Sequence, residues 1–172
     1  MSSSDRIEKQ VLLKAPRDRV WRAVSHADEF GIWFGVEFDG PFVSGRHLTG
    51  RIRPTQVDPE VARLQEPHSG KPFQIDVAGI EPMDRFAFRW HPFAIDPRQD
   101  DSQEPTTLVT FELSDAGNDT RLRITESGFD QLPVERRAAA FQANDGGWSH
   151  QCRLIEKYLR RPESLRIEKS GC

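Results

Sequence analysis

Residues 106–127 read TTLVTFELSDAGNDTRLRITES. Val109, Phe111 and Leu113 alternate with Thr110 and Glu112, and Leu122 and Ile124 alternate with Arg121 and Arg123. A period of two marks a strand with one buried face. Ala116-Gly117-Asn118-Asp119 separates the two runs, and Gly and Asn tolerate the backbone of a tight hairpin turn. An antiparallel hairpin over 106–114 and 120–127 follows. The parity of Leu122 and Ile124 places Glu126 on the same inward face, at the end of its strand.

Working outward from this hairpin, the preceding chain has the same texture. Residues 84–91 set Phe86, Phe88 and Trp90 against Ala87, Arg89 and His91. Further short strands are predicted near 35–39, 45–53 and 72–80, and a first strand at 6–14 with Ile7, Val11 and Leu13 on one face. Pro16 suits the first turn of a helix, where its missing N–H is harmless. Val20, Trp21 and Val24 give that short helix an apolar side. Asp28 is expected to cap a second short helix running through Trp33. The connections 54–70 and 92–105 are rich in Pro, Asp, Gln and Ser and read as long loops.

After the hairpin comes one long helix, predicted over 134–161 between Pro133 and Pro162. Its expected inward stripe is Ala138, Phe141, Asp145, Trp148, Cys152, Ile155 and Leu159. Seven strands and a long helix bury each other's apolar faces in two layers, an α+β arrangement.

Two features break local rules. Gly146-Gly147 lies inside the helix, where each Gly costs about 0.5–1 kcal/mol relative to Ala. Asp145 falls on the apolar stripe, where an unpaired carboxylate is disfavoured. Close packing of helix on sheet would account for the glycines, and a backbone partner or rotation to solvent for Asp145. If both Asp145 and Glu126 point inward, their repulsion raises one pKa, as in acid/base pairs. The alternative for Glu126 is a place at the cavity rim, or a cap on the turn at Ser127-Gly128.

Composition narrows the function classes. The 172 residues suit one domain over 6–161, between a flexible N-terminus at 1–5 and a tail at 162–172. Charged residues are 30% and the net charge is −3, too even a balance for nucleic acid or an anionic membrane. The polar N-terminus and the two cysteines, Cys152 and Cys172, point to a cytoplasmic protein without a structural disulfide. The histidines at 26, 47, 68, 91 and 150 have no metal-ligand spacing, so no metal site is expected. No P-loop, Gly-x-Gly-x-x-Gly or Gly-x-Ser-x-Gly pattern occurs, and no cofactor is expected. The abundant aromatics can hold a curved sheet off the helix and leave an apolar cavity. Its candidate lining is Trp33, Phe38, Phe73, Trp90, Phe111, Phe129, Phe141, Trp148 and Cys152, with Glu126 and Asp145 as polar anchors.

These segments resemble the START-like (SRPBCC) superfamily, in the branch of the C-terminal domain of the Hsp90 ATPase activator. Ala15-Pro16-Arg17-Asp18-Arg19-Val20-Trp21 after the first strand resembles that family's opening, and Trp33-Phe34-Gly35 its second helix. The run from Glu81-Pro82 through Phe86 and Phe88 to Trp90 resembles its Glu-Pro…Phe…Trp strand. Thr125-Glu126-Ser127-Gly128-Phe129 and Gly147-Trp148 resemble its last strand end and C-terminal helix.

The resemblance implies a helix-grip (START/Bet v 1-like) fold: a curved antiparallel sheet around a long C-terminal helix, enclosing a cavity. It does not imply one activity, since members include lipid carriers, hormone-binding proteins and aromatase/cyclases. The activator's own role needs a further N-terminal domain, for which this chain has no room. The expected partner is a small apolar or aromatic molecule. A cyclase or hydrolase using a cavity carboxylate and a chaperone-interacting domain are the alternatives. The 92–105 segment looks like an insertion that covers the pocket or meets a second subunit in a homodimer.

Overall fold

The computed structural model describes residues 6–92 and 105–160. The expectations for residues 1–5, for nearly all of the 92–105 loop and for the 162–172 tail with Cys172 lie outside the described residues. The elements run β1 (Arg6–Leu13), α1 (Arg17–Ser25), α2 (Ala27–Phe34), β2 (Val36–Phe38), β3 (His47–Ile52), α3 (Pro59–Gln65), β4 (Pro72–Glu81), β5 (Arg85–Trp90), β6 (Thr107–Ala116), β7 (Asp119–Ser127) and α4 (Val134–Arg160). The strands form one antiparallel sheet in the order β1-β7-β6-β5-β4-β3-β2. This is the helix-grip fold: the curved sheet wraps α4. A register shift between Val77 and Gly79 adds a bulge to β4, and bulges bend and twist the strand that carries them.

Most of the apolar positions read in the sequence are buried, and Ala87 and Thr110 between them are buried as well. Val109, Phe111, Leu113, Leu122 and Ile124 are buried, as are Phe86 and Phe88. The β6–β7 hairpin closes with Ala116 paired to Asp119 and Gly117 at φ +68. Neighbouring rings fill the concave face. Phe30 sits 4.8 Å from Trp33, Phe42 stacks on Phe86 at 4.6 Å, and Phe111 meets Trp148 at 5.8 Å. Such pairs add about 0.5–1.5 kcal/mol each beyond the area they bury.

The helices α1, α2 and α4 are joined by a buried polar cluster. Arg19 Nη1 and the Tyr158 hydroxyl both donate to Glu29 Oε1, at 2.9 and 2.7 Å. Burial, together with the bond to Glu29, holds the Tyr158 phenol above its ordinary range. The chain leaves α2 through Gly35 at φ +100, the left-handed helix cap that glycine adopts without a Cβ clash. A Cβ on Gly31 would lie 2.1 Å from the Val36 carbonyl oxygen, so α2 and β2 approach as only glycine permits.

Three sequence expectations are corrected. Asp28 sits in the first turn of α2 and His26 takes the cap position. The 54–70 connection contains α3, which buries no side chain and so leaves no apolar period. Polar contacts hold it: Asp58 caps it by accepting from the Glu60 and Val61 amides at 2.9 and 3.1 Å, and Lys157 of α4 donates to the same carboxylate. The inward face of α4 runs through Ala140, Asn144, Trp148, Ile155 and Leu159, and Ala138 is exposed.

Candidate functional site

Glu126 is fully buried on the inner face of β7, paired across the sheet with Ile7 of β1 and Val109 of β6. Its Oε2 accepts from Trp90 Nε1 at 2.8 Å and from the Thr107 hydroxyl at 2.6 Å. Its Oε1 accepts from Trp148 Nε1 at 2.8 Å. Asn144 Nδ2 lies 3.0 Å from both oxygens. The indole and amide N–H groups are donors, and an ionised carboxylate is an acceptor only. The cluster therefore satisfies a buried charge with hydrogen bonds from β5, β6 and α4. The rim or turn-cap position is excluded for this side chain.

The second carboxylate is not there. Asp145 lies on the flank of α4, its side chain 46% exposed, paired with Lys9 of β1 at 3.0 Å. One residue along an α-helix is a rotation of about 100°. Asn144 occupies the inward position instead, and no pair of inward carboxylates forms. The close-packing explanation for Gly146-Gly147 also fails: a Cβ on either glycine would meet nothing within 4 Å.

Beside this cluster a recess of about 160 Å³ opens between the sheet and α4. Phe34 and Trp90 form one wall; Ala143, Asn144, Gly147, Trp148 and Gln151 form the other. The Trp90 and Trp148 rings lie 5.7 Å apart and 32° from parallel, with their N–H groups turned to Glu126. Gln151 Nε2 donates to the Phe34 carbonyl at 3.1 Å, satisfying a backbone oxygen at the end of α2. A larger groove of about 800 Å³ lies outside, between α2, β2 and the β2–β3 loop, lined by polar residues including His26, Asp28 and Glu37.

Of the residues singled out in the sequence, Trp90 and Trp148 line the recess and Glu126 stands behind them. Trp33 and Phe111 are buried within the ring cluster, and Trp33 Nε1 donates to the Ala23 carbonyl at 2.9 Å. Phe38 and Phe73 are partly buried at the β2–β4 side, with Phe38 also facing the outer groove. Phe129 packs on Phe141 at 5.2 Å. Cys152 is a half-buried free thiol against the core, and burial pushes its pKa up to about 11. The wide apolar cavity expected from these aromatics is therefore replaced by packed rings and a small recess. Phe34, Asn144 and Gln151 were missed. Asn144 sits four residues before Trp148, and that helical spacing was the available signal.

Among the described residues no group of three metal-ligating side chains occurs. No described helix is long and apolar enough to cross a membrane.

With the geometry established, comparison with known proteins places the chain. The profile of the family described as "Activator of Hsp90 ATPase homolog 1-like protein" matches residues 14–160. The chain belongs to this family. Several solved structures share the family's fold. A protein from Arthrobacter aurescens superposes with TM-score 0.68 at 17% identity, covering 92% of this chain and 88% of that one. DynU16, a protein in the dynemicin biosynthetic locus, gives TM-score 0.64 at 24% identity over 91% of this chain and 47% of that one. The present chain thus spans about half the length of DynU16. CalU16 from Micromonospora echinospora gives TM-score 0.58 at 19% identity, covering 96% and 82%. At these identities the likeness is one of fold. Comparison with curated proteins gave no match.

Proposed function

We propose that this protein binds a small apolar or aromatic molecule in the recess between the sheet and α4. The observation that carries the reading is the pair of indoles, Trp90 and Trp148, fixed by one buried carboxylate at the recess wall. A hydrogen-bonded ring keeps its face in one place, and preorganised aromatic walls lower the ordering cost of binding. Small-molecule sites usually occupy about 300–1,000 Å³, whereas an apolar cavity of about 150 Å³ holds benzene. A recess of about 160 Å³ therefore suits a single ring or the ring-sized end of a longer molecule.

An enzymatic role for Glu126 is the weaker reading. A general base needs a lone pair within hydrogen-bond reach of its substrate. Here the two oxygens already receive five hydrogen bonds.

Native mass spectrometry of the protein purified from its own host, with small-molecule analysis after denaturation, tests the binding reading. A stoichiometric aromatic or apolar compound is expected. An empty protein that also shows no indole shifts on titration with single-ring compounds would overturn it.

A further inference from the structure

Most N–H groups at the recess are engaged, while the Gln151 amide oxygen is not. Trp90 Nε1, Trp148 Nε1 and Asn144 Nδ2 all point to Glu126. The fourth side-chain donor, Gln151 Nε2, is held by the Phe34 carbonyl at 3.1 Å. These partners also settle which way each amide faces. A carboxylate and a backbone carbonyl are acceptors only, so each must meet the amide nitrogen. Each amide keeps its oxygen and a second hydrogen. Gln151 Oε1 is shut off from solvent and has no hydrogen-bond partner among the described residues. A buried acceptor left unpaired is costly, and a molecule that brings a donor removes the cost.

Charge sharpens the choice. Among the described residues, the side chains lining the recess are aromatic, aliphatic or amide, and none is charged. The Glu126 carboxylate stands behind the indoles. An anionic ring would lie beside amide oxygens and a carboxylate, and like charge in a dry site is strongly disfavoured.

We infer that the recess selects a neutral, ring-sized molecule carrying an N–H or O–H group, such as a phenol or an arylamine, and that Gln151 Oε1, brought to the recess by a small rotation of its amide, accepts that hydrogen. Gln151 is then the specificity-determining residue: the indoles supply the ring contact, and the amide chooses among rings. This inference rests on the recess being a binding site for small molecules, as proposed above.

The test is an NMR titration of the full-length protein, following the indole N–H signals of Trp90 and Trp148. The probes are phenol, aniline, anisole and toluene. Phenol and aniline are expected to bind about tenfold more tightly than anisole or toluene, the worth of one hydrogen bond to an otherwise unpaired acceptor. In Gln151→Leu the four probes are expected to bind alike, with toluene no weaker than to wild type. Equal binding of phenol and toluene to the wild-type protein would overturn the donor preference and leave the aromatic site standing. Retention of the preference in a folded Gln151→Leu variant would overturn the role of Gln151. Absence of any indole shift with all four probes would overturn both this inference and the site on which it rests. The wild-type comparison needs no variant, so it stands even if Gln151→Leu does not fold.

Discussion

The indole of Trp148 donates to Glu126 Oε1 at 2.8 Å, fastening the C-terminal helix to the last strand through a buried carboxylate. Asn144, one helical turn earlier, donates to the same group. The position of α4 over the sheet is thus set by a polar contact as well as by packing.

Glu126→Gln tests the contact directly. Whichever way the new amide turns, its NH2 meets an indole N–H that cannot accept. A loss of about 2–3 kcal/mol is expected in urea unfolding, the penalty for leaving buried donors unmatched. A midpoint equal to wild type would show that the carboxylate is not the acceptor that holds the cluster.

At Trp148 two substitutions separate packing from hydrogen bonding. Trp148→Ala removes a buried ring and is expected to cost roughly 3–5 kcal/mol. Trp148→Phe keeps most of the ring and removes only the donor, for about 2 kcal/mol. Similar losses in both would mean that the N–H matters more than the ring.

Asp145→Asn should change little. The pair with Lys9 is partly exposed on both sides, and such pairs contribute about 0–1 kcal/mol. Binding of any recess ligand should be unaffected. A loss of affinity in this variant would return Asp145 to the site.

The two helix glycines are predicted to behave differently. Both have open space where a Cβ would go, so alanine at either should stabilise α4 by about 0.5–1 kcal/mol. Only Gly147 borders the recess. Gly147→Ala is expected to weaken ligand binding while raising the melting temperature, whereas Gly146→Ala should raise the melting temperature alone. Equal binding by both variants would show that the space at Gly147 is not used.

Burial raises the Cys152 thiol to about 11 from its ordinary 9.0, so it stays protonated and unreactive at pH 8. Its alkylation rate, followed on the Cys152 peptide to exclude Cys172, should climb only as pH passes from 9 toward 11. The linkage has the same sign. The folded pKa lies above the unfolded one, so the thiol's contribution to stability is complete below about pH 9 and is lost as pH rises through 11. Free-thiol alkylation rates at pH 8 would contradict the packing around Cys152.

Much of the fold was legible because several strands gather their large apolar side chains on one face. Phe86, Phe88, Val109, Phe111, Leu122 and Ile124 declare their parity in the sequence, and that parity also places Glu126 inward. The phase of α4 was harder to read. Trp148, Ile155 and Leu159 were found, but the buried Asn144 is polar, and a search for apolar period passes over it in favour of the turn beginning at Phe141. The small helix α3 escaped for a related reason: with only Val61 partly buried against the core, it declares itself only through the Asp58-Pro59-Glu60 start. Gln151 has no signal in its own residue type. Its role comes from the end of α2, more than a hundred residues away in the chain, where the Phe34 carbonyl fixes the amide.

The pairing of β1 with β7 has a consequence for how the chain is made. Leu13 lies opposite Thr120, and Arg6 opposite Ser127. β1 therefore has no sheet partner until synthesis has passed residue 120. Closing so long a span is entropically expensive and slows folding. Until then Ile7, Val11 and Leu13 travel on an unpaired, apolar edge of the kind that invites association between nascent chains. The sheet closes late, and the domain commits to its native state only after β7 has been made.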